Sequence, residues 1–237
     1  MKILVAAFAY NERPYIPYMV EYYRKQGCDL LILDNCSTDG TYEWLVENKV
    51  KTLKVDTNNS FFLTKLQIAL NKEIVKENPD WVLYTGIDSY YFFKGSAQEE
   101  IEKAEAQGCN MIEVGHLEAH NTGEKFQLPF PENYFYVLHA RRLQMIGKFG
   151  PSFRIVADSI QLANRKVYQS EGVYINYGMC KSKVERESTF SRRQKAWKMG
   201  EHKGYGTHYA VHKKRDWVWS KPEFTDIRTT DYYKLMK

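Results

Sequence analysis

Cysteine is scarce and scattered. Cys28, Cys36, Cys109 and Cys180 are the only 4 in 237 residues, and no two form a CxxC pair. That spacing argues against a thiolate zinc site and a disulfide framework, and it suits a reducing compartment, so a cytoplasmic location is expected. Long apolar runs are missing too. None approaches the roughly 20 residues of a membrane-spanning helix, and nothing ahead of the first apolar run reads as a signal peptide. The chain is therefore read without a transmembrane segment, with peripheral association to a membrane left open. No GxGxxG follows the first apolar run, where the sequence is AYNERP, which sets aside a dinucleotide-binding oxidoreductase. Internal repeats, low-complexity tracts and linkers are absent as well.

Hydrophobic residues make up 43% of the chain, enough for a core, and the length suits one large α/β domain or two small ones. The net charge of +5 is mild and comes largely from the stretch between Lys181 and Arg215. On charge alone such a segment suits nucleic acid, anionic lipid or a diphosphate. Trp197 is a lone aromatic among Arg192, Arg193, Lys195 and Lys198, too little interleaving for a nucleic-acid patch, so no nucleic-acid partner is expected. Aromatics reach 15%, with 18 tyrosines. That content suits stacking on sugars or bases, and a tyrosine-rich core equally well.

Hydrophobic periodicity predicts strands over Lys2–Phe8, Leu30–Leu33, Lys51–Val55 and Trp81–Leu83. Helices over Tyr15–Gln26, from Thr41 and over Leu63–Lys76 fall between them. This βαβαβαβ pattern implies a mostly parallel sheet with helices on its faces. The second half is less regular. A charged helix is predicted over Ala97–Gln107, strands over Asn110–Val114, Tyr134–Leu138 and Gly172–Tyr177, and a loop or hairpin over His116–Pro131. A helix over Ser159–Tyr168 follows Asp158, and a basic helix spans Arg186–Lys203.

The stretch LLILDNCSTDGT (residues 30–41) is the centre of the pattern. A buried strand stops abruptly in turn-forming residues and enters a helix, with Ser37, Thr38 or Asp39 as the expected N-cap. Carboxylates and free N–H groups then collect at one sheet edge, where open α/β sheets bind nucleotides. An ordinary capped strand–helix turn has the same composition.

In order, Ala9-Tyr10-Asn11-Glu12 follows the first strand, LLILDNCSTDGT the second and DWVLYTGID the fourth. This set resembles the inverting glycosyltransferases of family 2, which have the GT-A fold. The resemblance covers residues 2–93 well and the rest weakly. It implies a single GT-A-like (Rossmann-like) α/β domain over 1–237. Residues 1–93 form its nucleotide-sugar-binding half, and 94–237 an irregular acceptor-side half with the basic segment. The implied activity is transfer of a sugar from a nucleotide-diphosphate donor, UDP being the first expectation, to a hydroxyl of a carbohydrate or lipid-linked acceptor. The alternative is a non-catalytic nucleotide-sugar-binding or scaffold module.

By this resemblance Asp34 contacts the base, with helix capping as its other reading, and Ala9 and Tyr10 flank it. Only Tyr10 offers a stacking face. The family's DxD aligns with Gly86-Ile87-Asp88, so glycine replaces the first carboxylate and Asp88 alone is left for Mn²⁺ or Mg²⁺. His208, flanked by Gly204 and Gly206, resembles the C-terminal histidine that completes such metal sites; an ordinary loop histidine reads the same way. Asp158 aligns with the general base and would also serve as an N-cap. Asp39 is read as a cap, Asn11 and Glu12 as loop and first-turn residues, Lys65 and Gln67 as a solvated helix face. His116 and His120 are structural or acceptor-side. The basic run at Arg192–Lys198 is a solvated helix or a lid over the diphosphate.

Overall fold

β1 (Ile3–Ala9) is apolar on both faces because it runs through the middle of the sheet. The computed structural model describes residues 1–120, 128–129, 131, 136–139, 144–156, 159–198 and 225–236. β1 pairs in parallel with β2 (Asp29–Asp34) and with β4 (Trp81–Tyr84), and β3 (Lys51–Lys54) lies parallel beyond β2. Period-two alternation sends Ile3, Val5, Ala7 and Ala9 to one core layer, and Leu4 and Ala6 to the other. Leu30 and Ile32 of β2 join the first layer, Leu31 and Leu33 the second.

A helix then covers each face. α1 (Ile16–Lys25) buries Ile16, Met19, Val20 and Tyr23 against the first layer, with Pro17 tolerated in its first turn. α3 (Leu63–Glu77) buries Leu66, Leu70 and Ile74 against the second. α2 (Thr41–Glu47) links β2 to β3, and α4 (Ala97–Ala106) starts with a Ser96/Glu99 capping box. Sequence and structure agree closely in this half, because parallel strands buried on both sides need continuous apolar runs.

The second half extends the same sheet. β8 (Gln144–Lys148) runs antiparallel between β4 and β6 (Met111–His120), and β7 (Tyr136–His139) and β12 (Thr225–Asp226) continue beyond β6. β11 (Val167–Asn176) pairs in parallel with β6 and antiparallel with β5 (Ser89–Phe92). The fold is thus the expected α/β class, parallel through β4 and mixed after it. α5 (Lys183–Lys198) is the basic helix, and α6 (Tyr232–Leu235) closes the described chain.

Two expectations are corrected. The helix predicted over Ser159–Tyr168 is instead β10 (Ser159–Gln161), paired antiparallel with β9 (Arg154–Val156), followed by the start of β11. Ile155 and Ile160 are cross-strand neighbours and both are buried. Ile160 Cγ2 lies 2.6 Å from where a Cβ of Gly147 would stand, so bare backbone on β8 receives the hairpin. The α2 N-cap is Gly40 at φ 86°, a left-handed conformation suited to glycine. Asp39 serves α2 from one position earlier, accepting from the Thr41 N–H at 3.0 Å.

The tyrosines are core material. Tyr15, Tyr23, Tyr90, Tyr91 and Tyr177 rank among the largest fully buried side chains. Tyr22, Tyr23, Tyr90 and Phe92 form an edge-to-face and stacked cluster between α1 and β5.

Leu33→Ala should cost about 2–5 kcal/mol, since Leu33 is fully buried. Leu53→Ala, on the exposed side of edge strand β3, should stay within about 0.5 kcal/mol. Urea unfolding of the two variants checks this; equal losses would contradict the core assignment.

Candidate functional site

The carboxyl ends of β2, β1 and β4 lie side by side, and each carries one of the sequence-marked loops. Ala9 and Asp34 are direct cross-strand partners, and the Asn35 N–H donates to the Ala9 carbonyl at 2.8 Å. The loop after β1 is zipped onto the loop after β2. Asn11 N–H donates to Ser37 Oγ (2.9 Å), Glu12 N–H to Thr41 Oγ1 (2.9 Å) and Arg13 N–H to Asp39 Oδ2 (2.9 Å). In return the Thr38 N–H donates to Asn11 Oδ1 at 2.8 Å. Asn11 can do this because it sits at φ 54°, a region asparagine tolerates. The polar stretch after β2 therefore acts mainly as a template that fixes the first loop.

Asp34 is completely buried. Its Oδ1 accepts from the Ser37 N–H at 2.9 Å, while Oδ2 has no hydrogen-bond partner among the described residues. Burial raises its carboxyl above the ordinary value, against the opposing hydrogen bonds from Ser37. A buried carboxylate oxygen without a donor is costly and asks for a reason. Next to it, Asn35 Nδ2 donates to the Val55 carbonyl (2.7 Å) and to Thr57 Oγ1 (2.8 Å), leaving its Oδ1 for Arg192 Nη2.

Arg192 comes from α5. Its guanidinium lies 3.2 Å from the centre of the Tyr10 ring and also donates to the Ser60 carbonyl at 3.2 Å. Tyr10 therefore does present a stacking face at this edge, and a planar cation covers it. The basic helix is docked rather than freely solvated: Lys195 donates to the Asn58 carbonyl at 2.7 Å, and Arg193 lies over Phe61.

Below β4 a second cluster forms. Lys181 Nζ lies 2.7 and 2.8 Å from the two carboxylate oxygens of Glu12 and 2.8 Å from Asp88 Oδ2. All three side chains are largely buried, at 10%, 17% and 19% exposure. Burial opposes the Asp88 charge, but Lys181 outweighs it and holds the carboxyl below the usual range. Burial pushes Glu12 up to about 7 in spite of Lys181. Lys181 itself is held above its ordinary value, because the two carboxylates outweigh the burial that opposes its charge.

Asp88 is engaged by Lys181, and among the described residues no three His, Cys, Asp or Glu side chains converge. His208 and the expected base Asp158 both lie outside the described residues. The helix expected after Asp158 is the strand β10, so the base and the cap readings of Asp158 both lose the helix that motivated them. Lys65 donates to the Asp56 carbonyl from the exposed side of α3, whereas Gln67 is buried, not solvated. His116 and His120 lie on β6; burial and the charge of Arg186 push the His120 imidazole down to about 4.

Three contributors to this arrangement were missed, Glu12 (read as a first-turn residue), Asn35 and Lys181, whereas Arg192 belongs to the basic run read as a solvated helix or a lid. A signal for Lys181 was present. Ser182 and Glu185 have capping-box spacing, and the structure uses it: the Glu185 N–H donates to Ser182 Oγ and Ser182 N–H to Glu185 Oε2. α5 therefore starts at Lys183, just after Lys181, rather than at Arg186.

No protein-family model and no curated protein sequence matches the chain. Solved structures similar to it include S. aureus TarS 1–349 in complex with UDP, at 20% identity and TM-score 0.42, covering 54% of this chain and 38% of that one. TarS 1–349 alone gives 15% identity and TM-score 0.48, covering 88% and 68%. HddC from Yersinia pseudotuberculosis gives 10% identity and TM-score 0.43, covering 81% and 99%. The chain thus spans under two fifths of the first of these. Likeness at this level leaves both the fold family and the activity to the chain's own residues.

Lys181→Met should destabilise the protein by about 3–5 kcal/mol, because two buried carboxylates lose their shared counter-charge. Adding Glu12→Gln and Asp88→Asn should recover most of it, as read from urea midpoints.

Proposed function

We propose that the chain is a glycosyltransferase that takes its sugar from a nucleotide-diphosphate donor. The observation that carries this reading is the edge formed by Tyr10, Asp34 and Asp88 at the ends of three adjacent parallel strands, with a buried oxygen on Asp34 that has no hydrogen-bond partner among the described residues. A nucleobase supplies what that oxygen lacks, an N–H donor in a planar ring that stacks on Tyr10. Arg192 fills the stacking place in this structure, and its guanidinium gives way or slides as the base enters.

Transfer is read as inverting. The acceptor oxygen bonds to the anomeric carbon as the bond from that carbon to the diphosphate oxygen breaks. The hydroxyl proton passes to the general base, for which Asp158 is the candidate, and the nucleoside diphosphate departs. UDP is the first nucleotide to test, and a carbohydrate or lipid-linked hydroxyl the expected acceptor. No described helix is long and apolar enough to cross a membrane.

A second reading has its own support. Glycine at position 86 and the capture of Asp88 by Lys181 also suit a nucleotide-sugar-binding module without turnover. Donor hydrolysis and transfer across a panel of nucleotide sugars separate the two, since only the first predicts product.

Asp34→Ala should weaken nucleotide binding by about tenfold or more while leaving the unfolding transition cooperative; unchanged affinity by calorimetry would remove Asp34 from the site. Asp158→Asn should abolish transfer with donor still bound. Retained turnover would mean that the base lies elsewhere.

A further inference from the structure

The Glu12–Lys181–Asp88 cluster sits where the expected donor chemistry calls for a divalent ion. Asp88 is the only carboxylate left in the Gly86-Ile87-Asp88 triplet, and its Oδ2 meets an ammonium at 2.8 Å. The backbone closes around that carboxylate. A Cβ at Gly86 would stand 2.9 Å from Asp88 Oδ1, and one at Gly178 would stand 3.2 Å from Asp88 Oδ2. Position 86 therefore cannot carry the first carboxylate of a DxD without moving Asp88. Lys181 is in turn held on a rigid mount. Glu12 grips it from a loop zipped to its neighbour, the Tyr15 ring lies 4.8 Å from its Nζ, and the capped start of α5 follows it directly. The capped end of that 16-residue helix adds positive partial charge on the same side.

We propose that Lys181 is the fixed cation of the donor site, engaging the donor's diphosphate from the place where a divalent metal ion is expected. This rests on the nucleotide-donor reading above. The metal's task in such a transfer is to stabilise charge developing on the leaving diphosphate; Lys181, its net charge offset by Glu12 and Asp88, does this locally, through a directed N–H donor to one phosphate oxygen and with no redox or covalent step. An ammonium offers three N–H donors, and Glu12 takes two contacts through one carboxylate. Turning one Glu12 oxygen away frees a donor for a phosphate oxygen while the ion pair persists. Pre-organisation by Glu12 and Asp88 spares most of the side-chain entropy that a surface lysine would lose on binding.

The test is calorimetry on the wild-type chain with UDP, then GDP, ADP and CDP, in EDTA and again with excess Mn²⁺ or Mg²⁺. The expected result is binding in EDTA that changes less than about twofold on adding metal. Tightening of about tenfold or more overturns the role of Lys181 and leaves the donor reading standing. Failure of every nucleotide with and without metal overturns both. The wild type should also prefer the nucleoside diphosphate over its monophosphate. Lys181→Arg should keep that preference, and Lys181→Ala should lose it by about tenfold. An unchanged ratio in a folded Lys181→Ala protein overturns the proposal, and should that variant not fold, the wild-type metal comparison decides alone.

Discussion

The contact between Lys181 and the paired carboxylates of Glu12 and Asp88 joins three parts of the chain that share no local structure. Glu12 belongs to the loop after β1, Asp88 to the turn after β4, and Lys181 to the approach to α5. Removing three charges from water is expensive, and mutual attraction offsets that cost only where the geometry is tight and the remaining polar atoms find partners. Here distances of 2.7–2.8 Å and a zipped first loop supply both conditions. Lys181 lies two residues before α5, next to the Ser182/Glu185 capping box that starts that helix, so the same contact ties the helix's beginning to the first loop. The direction of the helix in turn delivers Arg192 to Tyr10 and Asn35, more than 150 residues away in the chain.

The polar residues after β2 take on a different meaning in that setting. In composition Ser37, Thr38, Asp39 and Thr41 look like helix-capping groups, and Asp39 does serve α2. Most of their hydrogen bonds nevertheless reach across to Asn11, Glu12 and Arg13. The stretch shapes a site by holding its neighbour still. Asp34, at its start, has one oxygen satisfied and one without a donor among the described residues. A rigid edge with one unmet acceptor and a stacking ring is the kind of pre-organised surface that selects a planar, N–H-bearing ligand.

Tyrosine abundance separates into two uses for the same physical reason. A ring that can bury its face and still hydrogen-bond its hydroxyl suits a core between an apolar helix face and a sheet. Tyr22 donates to the Tyr91 carbonyl and Tyr23 to the Ser89 carbonyl, so their burial leaves no stranded hydroxyl. Tyr10 differs because its ring lies at the strand ends, where no apolar layer covers it and Arg192 does.

The first half of the fold was legible in the amino-acid sequence. Strands buried on both faces, such as Ile3–Ala9 and the Leu30–Leu33 run of β2, must be continuously apolar, and the helices between them must carry apolar stripes. The sheet-edge position of Tyr10, Asp34 and Asp88 follows from the same local pattern. The pairing of β9 with β10 was not legible: a run such as FRIVADSIQL satisfies helix and strand spacing alike, and the choice depends on tertiary packing such as that of Ile160 over the bare backbone of Gly147. The partners of Glu12 and Asp88 were hidden for a similar reason. Opposite charges 93 and 169 positions from Lys181 leave no periodic trace, and the folded chain alone brings them within hydrogen-bonding distance of one ammonium.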